Sequence, residues 1–118
     1  MTKIMVVDDT QFVRKRIAKL LTEHGYEVIE AKDGEEAVQS YHLLKPDVVL
    51  MDFVMPRKNG REAMLEICRS DPQAKVIMLT ALGQQAIVLR ALQAGAKDFL
   101  VKPCEPEQIL NALKKVLA

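Results

Sequence analysis

The sequence has no tryptophan and only two cysteines, Cys68 and Cys104. Two cysteines this far apart indicate neither a disulfide framework nor a metal knuckle. The chain also has no secretory signal and no apolar run long enough to cross a membrane. Because disulfide-stapled and membrane-spanning classes are thereby disfavoured, a reduced, cytoplasmic setting is the simplest expectation.

Neither sign of charge is in large excess, since the chain has 17 lysine and arginine residues and 16 aspartate and glutamate residues. A chain with this balance has no overall field that would draw it to nucleic acid or to an anionic membrane. His24 and His42 have no cysteine or histidine at ligand spacing, so we expect surface histidines rather than metal ligands. We therefore expect a partner chosen by a local surface, with no nucleic acid and no membrane involved.

Short apolar runs alternate with amphipathic segments along the whole chain. The predicted strands are residues 3–7, 27–31, 47–51, 75–79 and 97–101, each followed by a predicted helix. The first, third and fourth runs are almost purely apolar, as in strands covered on both faces, whereas the charges in 27–31 indicate an edge strand. This alternation predicts an α/β fold with a single doubly wound, five-stranded parallel sheet and five helices, in one domain spanning residues 1–118.

The predicted helices have recognisable ends. The first has an apolar stripe opposite basic residues that include Arg14, and Gly25 stands where this helix would end. Asp33 and Glu36 have the spacing of a capping box at the start of the second helix. Pro106 stands at a first-turn position of the last helix.

Polar residues directly follow four of the predicted strands. They are Asp8 and Asp9 after the first, Asp52 after the third, Thr80, which Ala81 follows, after the fourth, and Lys102, which Pro103 follows, after the fifth. Because the carboxyl ends of parallel strands meet at one edge of a sheet, we expect these residues to converge. Taken singly they could be helix caps, turn residues or a solvated lysine, but their coincidence at one edge favours a shared site.

Three converging carboxylates favour Mg²⁺, a cation that prefers oxygen ligands and is often shared with phosphate. With Mg²⁺ held by the aspartates, a carboxylate oxygen of Asp52 could attack an incoming phosphoryl group and form an aspartyl phosphate. Lys102, the Thr80 hydroxyl and the Ala81 amide could then hold the phosphoryl oxygens. The sequence leaves open whether the bond between Lys102 and Pro103 is cis.

Four segments carry a resemblance to a known family: residues 6–9 (VVDD), 50–56 (LMDFVMP) with Asn59 and Gly60, 79–81 (LTA) and 94–103 (AGAKDFLVKP). Together they resemble the receiver domain of response regulators in two-component signalling, and more closely its stand-alone chemotaxis CheY-like members. The resemblance covers the whole chain. It implies a flavodoxin-like, CheY-like fold and a phosphorylation-activated signalling switch rather than an enzyme.

The resemblance also implies roles for the site residues. Asp52 would accept a phosphoryl group from a histidine kinase. Asp8 and Asp9 would bind Mg²⁺ together with Asp52 and the Val54 backbone carbonyl, and Lys102 would contact the phosphoryl group.

Thr80 and Phe99 would form the switch pair. A phosphoryl group can draw the Thr80 hydroxyl toward itself, and the vacated space can take an aromatic ring. The output surface would be the face of the fourth helix, fifth strand and fifth helix, with the expected contributors Gln84, Gln85, Arg90, Gln93 and Lys97. The expected partner is a downstream protein, for which a flagellar motor switch protein is the natural candidate, and the chain is expected to be a monomer.

Other functions stay open on the sequence alone. A phosphorelay intermediary, or a receiver excised from a larger regulator, would carry the same residues. A phosphohydrolase with an aspartate nucleophile is a more distant alternative, because such enzymes generally place the nucleophile after the first strand and carry a cap segment. Val54 and Leu82 are apolar where several family members are polar, which suggests that neither orients an attacking water and that the phosphorylated form is long-lived.

Overall fold

The computed structural model describes residues 1–55, 57–81 and 83–118. For Gln85 it describes the backbone but not the side chain. In these ranges strands and helices alternate as the sequence predicts. The strands are β1 (Lys3–Val7), β2 (Glu27–Ala31), β3 (Val48–Asp52), β4 (Val76–Ala81) and β5 (Asp98–Lys102). The helices are α1 (Gln11–Glu23), α2 (Gly34–Leu44), α3 (Gly60–Ser70), α4 (Gln85–Ala94) and α5 (Pro106–Leu117).

All strand pairs in the sheet are parallel, in the order β2-β1-β3-β4-β5. The apolar β1, β3 and β4 occupy the centre, and the charged β2 lies at an edge, so both predictions are confirmed. Strands β1 and β3 are neighbours although a strand and two helices separate them in sequence, which gives the doubly wound topology its crevice between them. The aspartates of β1 and β3 are thereby brought side by side.

Three strands end later than the sequence predicts. Strand β3 includes Asp52, β4 includes Thr80 and Ala81, and β5 includes Lys102. The reason is that the ladder uses backbone groups only, so a polar side chain does not end it. The pairing of Asp52 with Leu79 and of Ala81 with Lys102 shows the ladder continuing through these residues. Asp52, Thr80, Ala81 and Lys102 are therefore held by the sheet itself, whereas Asp8 and Asp9 lie just after β1.

Apolar side chains fill both faces of the sheet. Met5 and Met51 point to the layer formed with α2, α3 and α4, whereas Ile4 and Leu50 point to the layer formed with α1 and α5. These four side chains are fully buried. Cys68 and Cys104 are half-buried free thiols, His24 and His42 are exposed, and none of the described helices is long and apolar enough to cross a membrane.

The helix ends follow the sequence signals with one correction. Gly25 takes a positive φ just after α1, and Pro106 is the first residue of α5, as predicted. The Asp33 side chain accepts from the Glu36 N–H, but the Glu36 carboxylate accepts from the N–H of Lys32 rather than of Asp33. Only half of the predicted capping box therefore forms, because the Glu36 side chain reaches one residue further back.

Two glycines allow backbone segments to approach closely beside the aspartate cluster. A Cβ at Gly34 would collide with the carbonyl oxygen of Lys58, and a Cβ at Gly60 would collide with the carbonyl oxygen of Asp52. Neither glycine has a positive φ, so an alanine at either position is opposed by this contact rather than by its own backbone conformation.

Gly34→Ala and Gly60→Ala are each expected to lower the free energy of unfolding by about 1–3 kcal/mol, because a backbone carbonyl must shift to admit the methyl group. Urea unfolding followed by circular dichroism measures the loss. Glu35→Ala, at an exposed position next in α2, is the control and should stay within about 0.5 kcal/mol of the parent. Parent-like stability of both glycine variants would contradict the close approach.

A buried tyrosine joins α2 to the end of α3. The Tyr41 hydroxyl donates to Asp71 Oδ2 at 2.7 Å, and this bond, with a second from the Gln73 N–H, lowers the pKa of the Asp71 carboxyl. An aspartate whose pKa is lower in the folded chain than in the unfolded chain stabilises the fold above the unfolded pKa. That stabilisation is lost as the pH falls through the folded pKa.

Tyr41→Phe is therefore expected to cost about 1 kcal/mol of unfolding free energy at pH 7 and less in acid. Denaturant unfolding of both proteins from pH 7 down to pH 3 measures the difference. Tyr26→Phe serves as the matched control, because no hydrogen bond of the Tyr26 hydroxyl is found among the described residues. A Tyr41→Phe cost that stays constant over this range would contradict the link to Asp71.

Candidate functional site

Three aspartates meet at the carboxyl edge of the sheet. Asp8 and Asp9 follow β1, Asp52 ends β3, and one carboxylate oxygen of each lies within 4.8 Å of the others. Asp8 is 1% exposed and Asp52 8% exposed, whereas Asp9 is open to solvent. The convergence predicted from the strand ends is confirmed, and the cluster has one solvent-facing side from which a ligand can enter.

A lysine from the far edge strand completes the cluster. Lys102 Nζ lies 3.0 Å from Asp52 Oδ1 and 3.1 Å from Asp8 Oδ2, so its ammonium bridges the two buried carboxylates. Strand β4 lies between β3 and β5, and the long lysine side chain spans it. The Lys102–Pro103 bond, left open by the sequence, is cis.

The charges in this cluster do not balance. Burial raises the pKa of the Asp52 carboxyl, and the nearby Asp8 and Asp9 add to that rise, while the bond from Lys102 opposes it. Burial alone would lower the pKa of Lys102, but its bonds to Asp52 and Asp8 outweigh burial and raise it. Three carboxylates thus face one firmly held ammonium, which leaves an excess of negative charge at the solvent-facing side.

The donor chemistry of the cluster fits Mg²⁺. Within the part of the chain that the structure describes, the grouped ligand atoms are carboxylate oxygens, without histidine nitrogen or cysteine sulfur. Hard oxygen donors of this kind suit Mg²⁺ and disfavour softer transition metals. Asp8, Asp9 and Asp52 could therefore hold the ion, and the Val54 carbonyl, two residues beyond Asp52, is the further ligand that the family resemblance implies.

Arg14 and Glu30 support the site, a role that was not predicted for either residue. Arg14 Nη1 donates to the Asp8 carbonyl oxygen at 2.8 Å, and Arg14 Nε donates to Glu30 Oε1 at 2.9 Å. The Asp8 carboxylate also accepts from the Thr10 N–H at 2.8 Å. Arg14 was expected on the exposed face of α1, but it is half-buried because it reaches toward the end of β1. The available signal was Glu30, a charged residue one position before the end of the edge strand.

Thr80 and Ala81 lie beside the cluster, but the Thr80 hydroxyl and the Ala81 N–H already donate hydrogen bonds to another residue. The Thr80 hydroxyl, which is 2% exposed, donates to Gln84 Oε1 at 2.7 Å. The Ala81 N–H donates to the same oxygen at 3.2 Å. Gln84 is half-buried rather than exposed as predicted, because its side chain turns back toward the end of β4. The three- and four-residue spacing to Ala81 and Thr80 was the only sequence signal for this contact.

The remaining predicted residues have mixed outcomes. Phe99 pairs with Met78 in the sheet and packs, half-buried, against the apolar layer of α2, α3 and α4. The Val54 side chain is 63% exposed next to the cluster. Arg90, Gln93 and Lys97 are exposed as expected, whereas Pro56, Leu82 and the side chain of Gln85 lie outside the described residues.

Comparisons with known proteins agree with this geometry. The family model described as the response regulator receiver domain matches residues 4–114. The chain is 50% identical to the chemotaxis protein CheY of Thermotoga maritima, over 97% of this chain and 96% of that protein. It is 49% identical to the protein CcdB of Bacillus subtilis, over 99% of this chain and 98% of that protein.

Among solved structures, the chain is similar to the CheX–CheY–beryllium fluoride–magnesium complex of Borrelia burgdorferi. The two share 36% identity with a TM-score of 0.93, over 99% of this chain and 90% of that chain. These similarities support a signalling regulator, a phosphorylation-activated two-component switch, rather than a catalytic enzyme. From the family match, the near full-length relatives and the aspartate cluster, the chain belongs to the response regulator receiver domain family.

Proposed function

We propose that Asp52 accepts a phosphoryl group from a histidine kinase in a Mg²⁺-dependent reaction. The observation that supports this most directly is the position of Lys102 Nζ, 3.0 Å from Asp52 Oδ1, within a cluster that also contains Asp8 and Asp9. One cation on the acceptor, together with further carboxylates at ligand spacing, is the arrangement that phosphoryl transfer needs.

The reaction begins with attack by an Asp52 carboxylate oxygen on the phosphorus of a phosphohistidine. The new O–P bond forms as the N–P bond breaks, and the electron pair of that bond stays on the imidazole nitrogen, which takes up a proton from solvent. Bound to Asp8, Asp9, Asp52 and the Val54 carbonyl, Mg²⁺ would neutralise charge on the phosphoryl oxygens. Lys102 follows the negative charge to a phosphoryl oxygen, and the Thr80 hydroxyl and Ala81 amide bind the others.

The switch that follows uses Thr80 and Phe99. Once the Thr80 hydroxyl turns toward the phosphoryl group, the space it leaves admits the Phe99 ring, and the face of α4, β5 and α5 changes shape. This face is the proposed binding surface for a downstream protein. The solved complex that contains CheX shows that a CheY relative binds another protein, and it also contains Mg²⁺ and beryllium fluoride.

Chemotaxis is the proposed pathway, with a flagellar motor switch protein as the target and a monomer as the working form. Several similar proteins are named as the chemotaxis protein CheY, which supports chemotaxis. CcdB is almost as similar and is not named for chemotaxis, so a phosphorelay intermediary or a receiver from a larger regulator is the second candidate. The extent of the receiver unit over residues 1–118 and the cytoplasmic location stay predictions.

Transfer from a histidine kinase that has been autophosphorylated with radiolabelled ATP tests the proposal. We expect one label per chain, lost at alkaline pH or with hydroxylamine, as for an acyl phosphate. Continuous release of phosphate from many small phosphate esters, without a stable label, would instead support the phosphohydrolase alternative. Label that survives in Asp52→Asn would contradict Asp52 as the acceptor.

A further inference from the structure

We propose that Gln84 is an internal competing acceptor, which occupies the Thr80 and Ala81 donors until a phosphoryl group on Asp52 displaces it. This inference rests on the proposed function, because it takes Thr80 and Ala81 as the groups that bind the phosphoryl oxygens. Gln84 would thereby set how readily the chain enters its phosphorylated conformation.

A single oxygen holds both donors in the unphosphorylated chain. Gln84 Oε1 accepts from the Thr80 hydroxyl at 2.7 Å and from the Ala81 N–H at 3.2 Å. A hydroxyl and an amide N–H each have one hydrogen, so neither can serve a phosphoryl oxygen fully while it donates to Gln84. The two arrangements exclude each other.

Because Thr80 is buried, Gln84 is a strong competitor for the hydrogen of its hydroxyl group. Because Thr80 is only 2% exposed, water does not readily replace Gln84 as the acceptor of its hydroxyl hydrogen. The register places Thr80 one residue beyond Leu79, the partner of Asp52 on the neighbouring strand. The backbone of Thr80 therefore lies diagonally next to that of the acceptor aspartate, at the same edge of the sheet.

Gln84 is also fixed to the output helix. Its backbone carbonyl accepts from the N–H groups of Ile87 and Val88, in the first turn of α4. The preceding Gly83 has a φ of +94°, a backbone conformation that favours glycine. Release of the Gln84 side chain by a phosphoryl group would therefore change the contacts that hold the start of α4 to the sheet.

The test measures the affinity of the whole chain for beryllium fluoride, a phosphoryl analogue, at saturating Mg²⁺ by isothermal titration calorimetry. Gln84→Ala removes the competing acceptor but keeps the backbone carbonyl, and we expect it to bind the analogue about fivefold more tightly, the ratio that one hydrogen bond of ordinary strength gives. Gln84→Glu strengthens the competing acceptor and repels the anion, so its affinity should fall. Gln93→Ala, a glutamine on the exposed face of the same helix, is the matched control and should bind like the parent.

Analogue binding by Gln84→Ala that is equal to or weaker than the parent's would overturn the inference and leave the proposed function standing. Failure of the parent itself to bind the analogue, or equal binding by Asp52→Asn, would overturn both. If Gln84→Ala does not fold, a measurement on the parent protein tests the inference instead. On addition of Mg²⁺ and beryllium fluoride, the side-chain amide resonances of Gln84 should move toward the values of a free glutamine while those of Gln93 stay, and an unmoved Gln84 signal would overturn the inference.

Discussion

Lys102→Met is expected to slow the phosphorylation of Asp52 by acetyl phosphate at least about 100-fold. That is the usual loss of rate when one group that stabilises the charge of the transition state is removed. Methionine keeps much of the apolar stem of the side chain and removes the ammonium that lies 3.0 Å from Asp52 and 3.1 Å from Asp8. Negative charge that builds up on the phosphoryl oxygens is then no longer stabilised by this ammonium. Rapid-quench time courses, followed by intact mass spectrometry, measure the rate.

Lys97→Met is the matched control for this variant. Lys97 precedes β5 and is exposed, with no ion pair among the described residues, so its loss should leave the rate unchanged. Both rates are measured well below the unfolding temperature and at saturating Mg²⁺, because Lys102→Met also leaves the buried carboxylates without their cation. A Lys102→Met rate within threefold of the parent would contradict the role given to the lysine.

Asp9→Asn is expected to weaken Mg²⁺ binding by about 10- to 100-fold, because it removes one of the negative charges that hold the ion. It should leave the free energy of unfolding without Mg²⁺ within about 0.5 kcal/mol of the parent, since Asp9 is exposed and no hydrogen bond or ion pair involves it in the described chain. Calorimetric titration with MgCl₂ at constant ionic strength measures the first quantity, and urea unfolding with EDTA measures the second.

Glu23→Gln makes the same charge change at the other end of α1 and should bind Mg²⁺ like the parent. This comparison separates a ligand from a general effect of net charge, which both variants alter equally. Unchanged affinity in Asp9→Asn, or an equal loss in Glu23→Gln, would contradict a metal site at the aspartate cluster.

Convergence of the site residues could be predicted because it depends on the fold class alone. Once Asp8 and Asp52 are assigned to the ends of parallel strands, the sheet brings them together whatever the loops do. Lys102 is predictable for the same reason, since its long side chain can span the strand between. Short, nearly continuous apolar runs and helical patterns of period 3.6 carry this information directly in the sequence.

Contacts that depend on a turn or on a side-chain rotamer could not be predicted in the same way. Gln84, the residue just before α4, turns its side chain back to Thr80, whereas polar periodicity predicts it on the outer surface. Arg14 was likewise placed among exposed basic residues, yet it bonds the Asp8 carbonyl and Glu30. The strand ends were missed by one or two residues because polar side chains do not end a backbone ladder.

The central claim is that Asp52 is a Mg²⁺-dependent phosphoryl acceptor, and the intact mass of the chain after incubation with acetyl phosphate and Mg²⁺ tests it most directly. The account predicts a single phosphoryl adduct on the parent protein and none on Asp52→Asn or on the parent with EDTA. An adduct of equal yield on Asp52→Asn, or no adduct on a parent protein that demonstrably binds Mg²⁺, would contradict it.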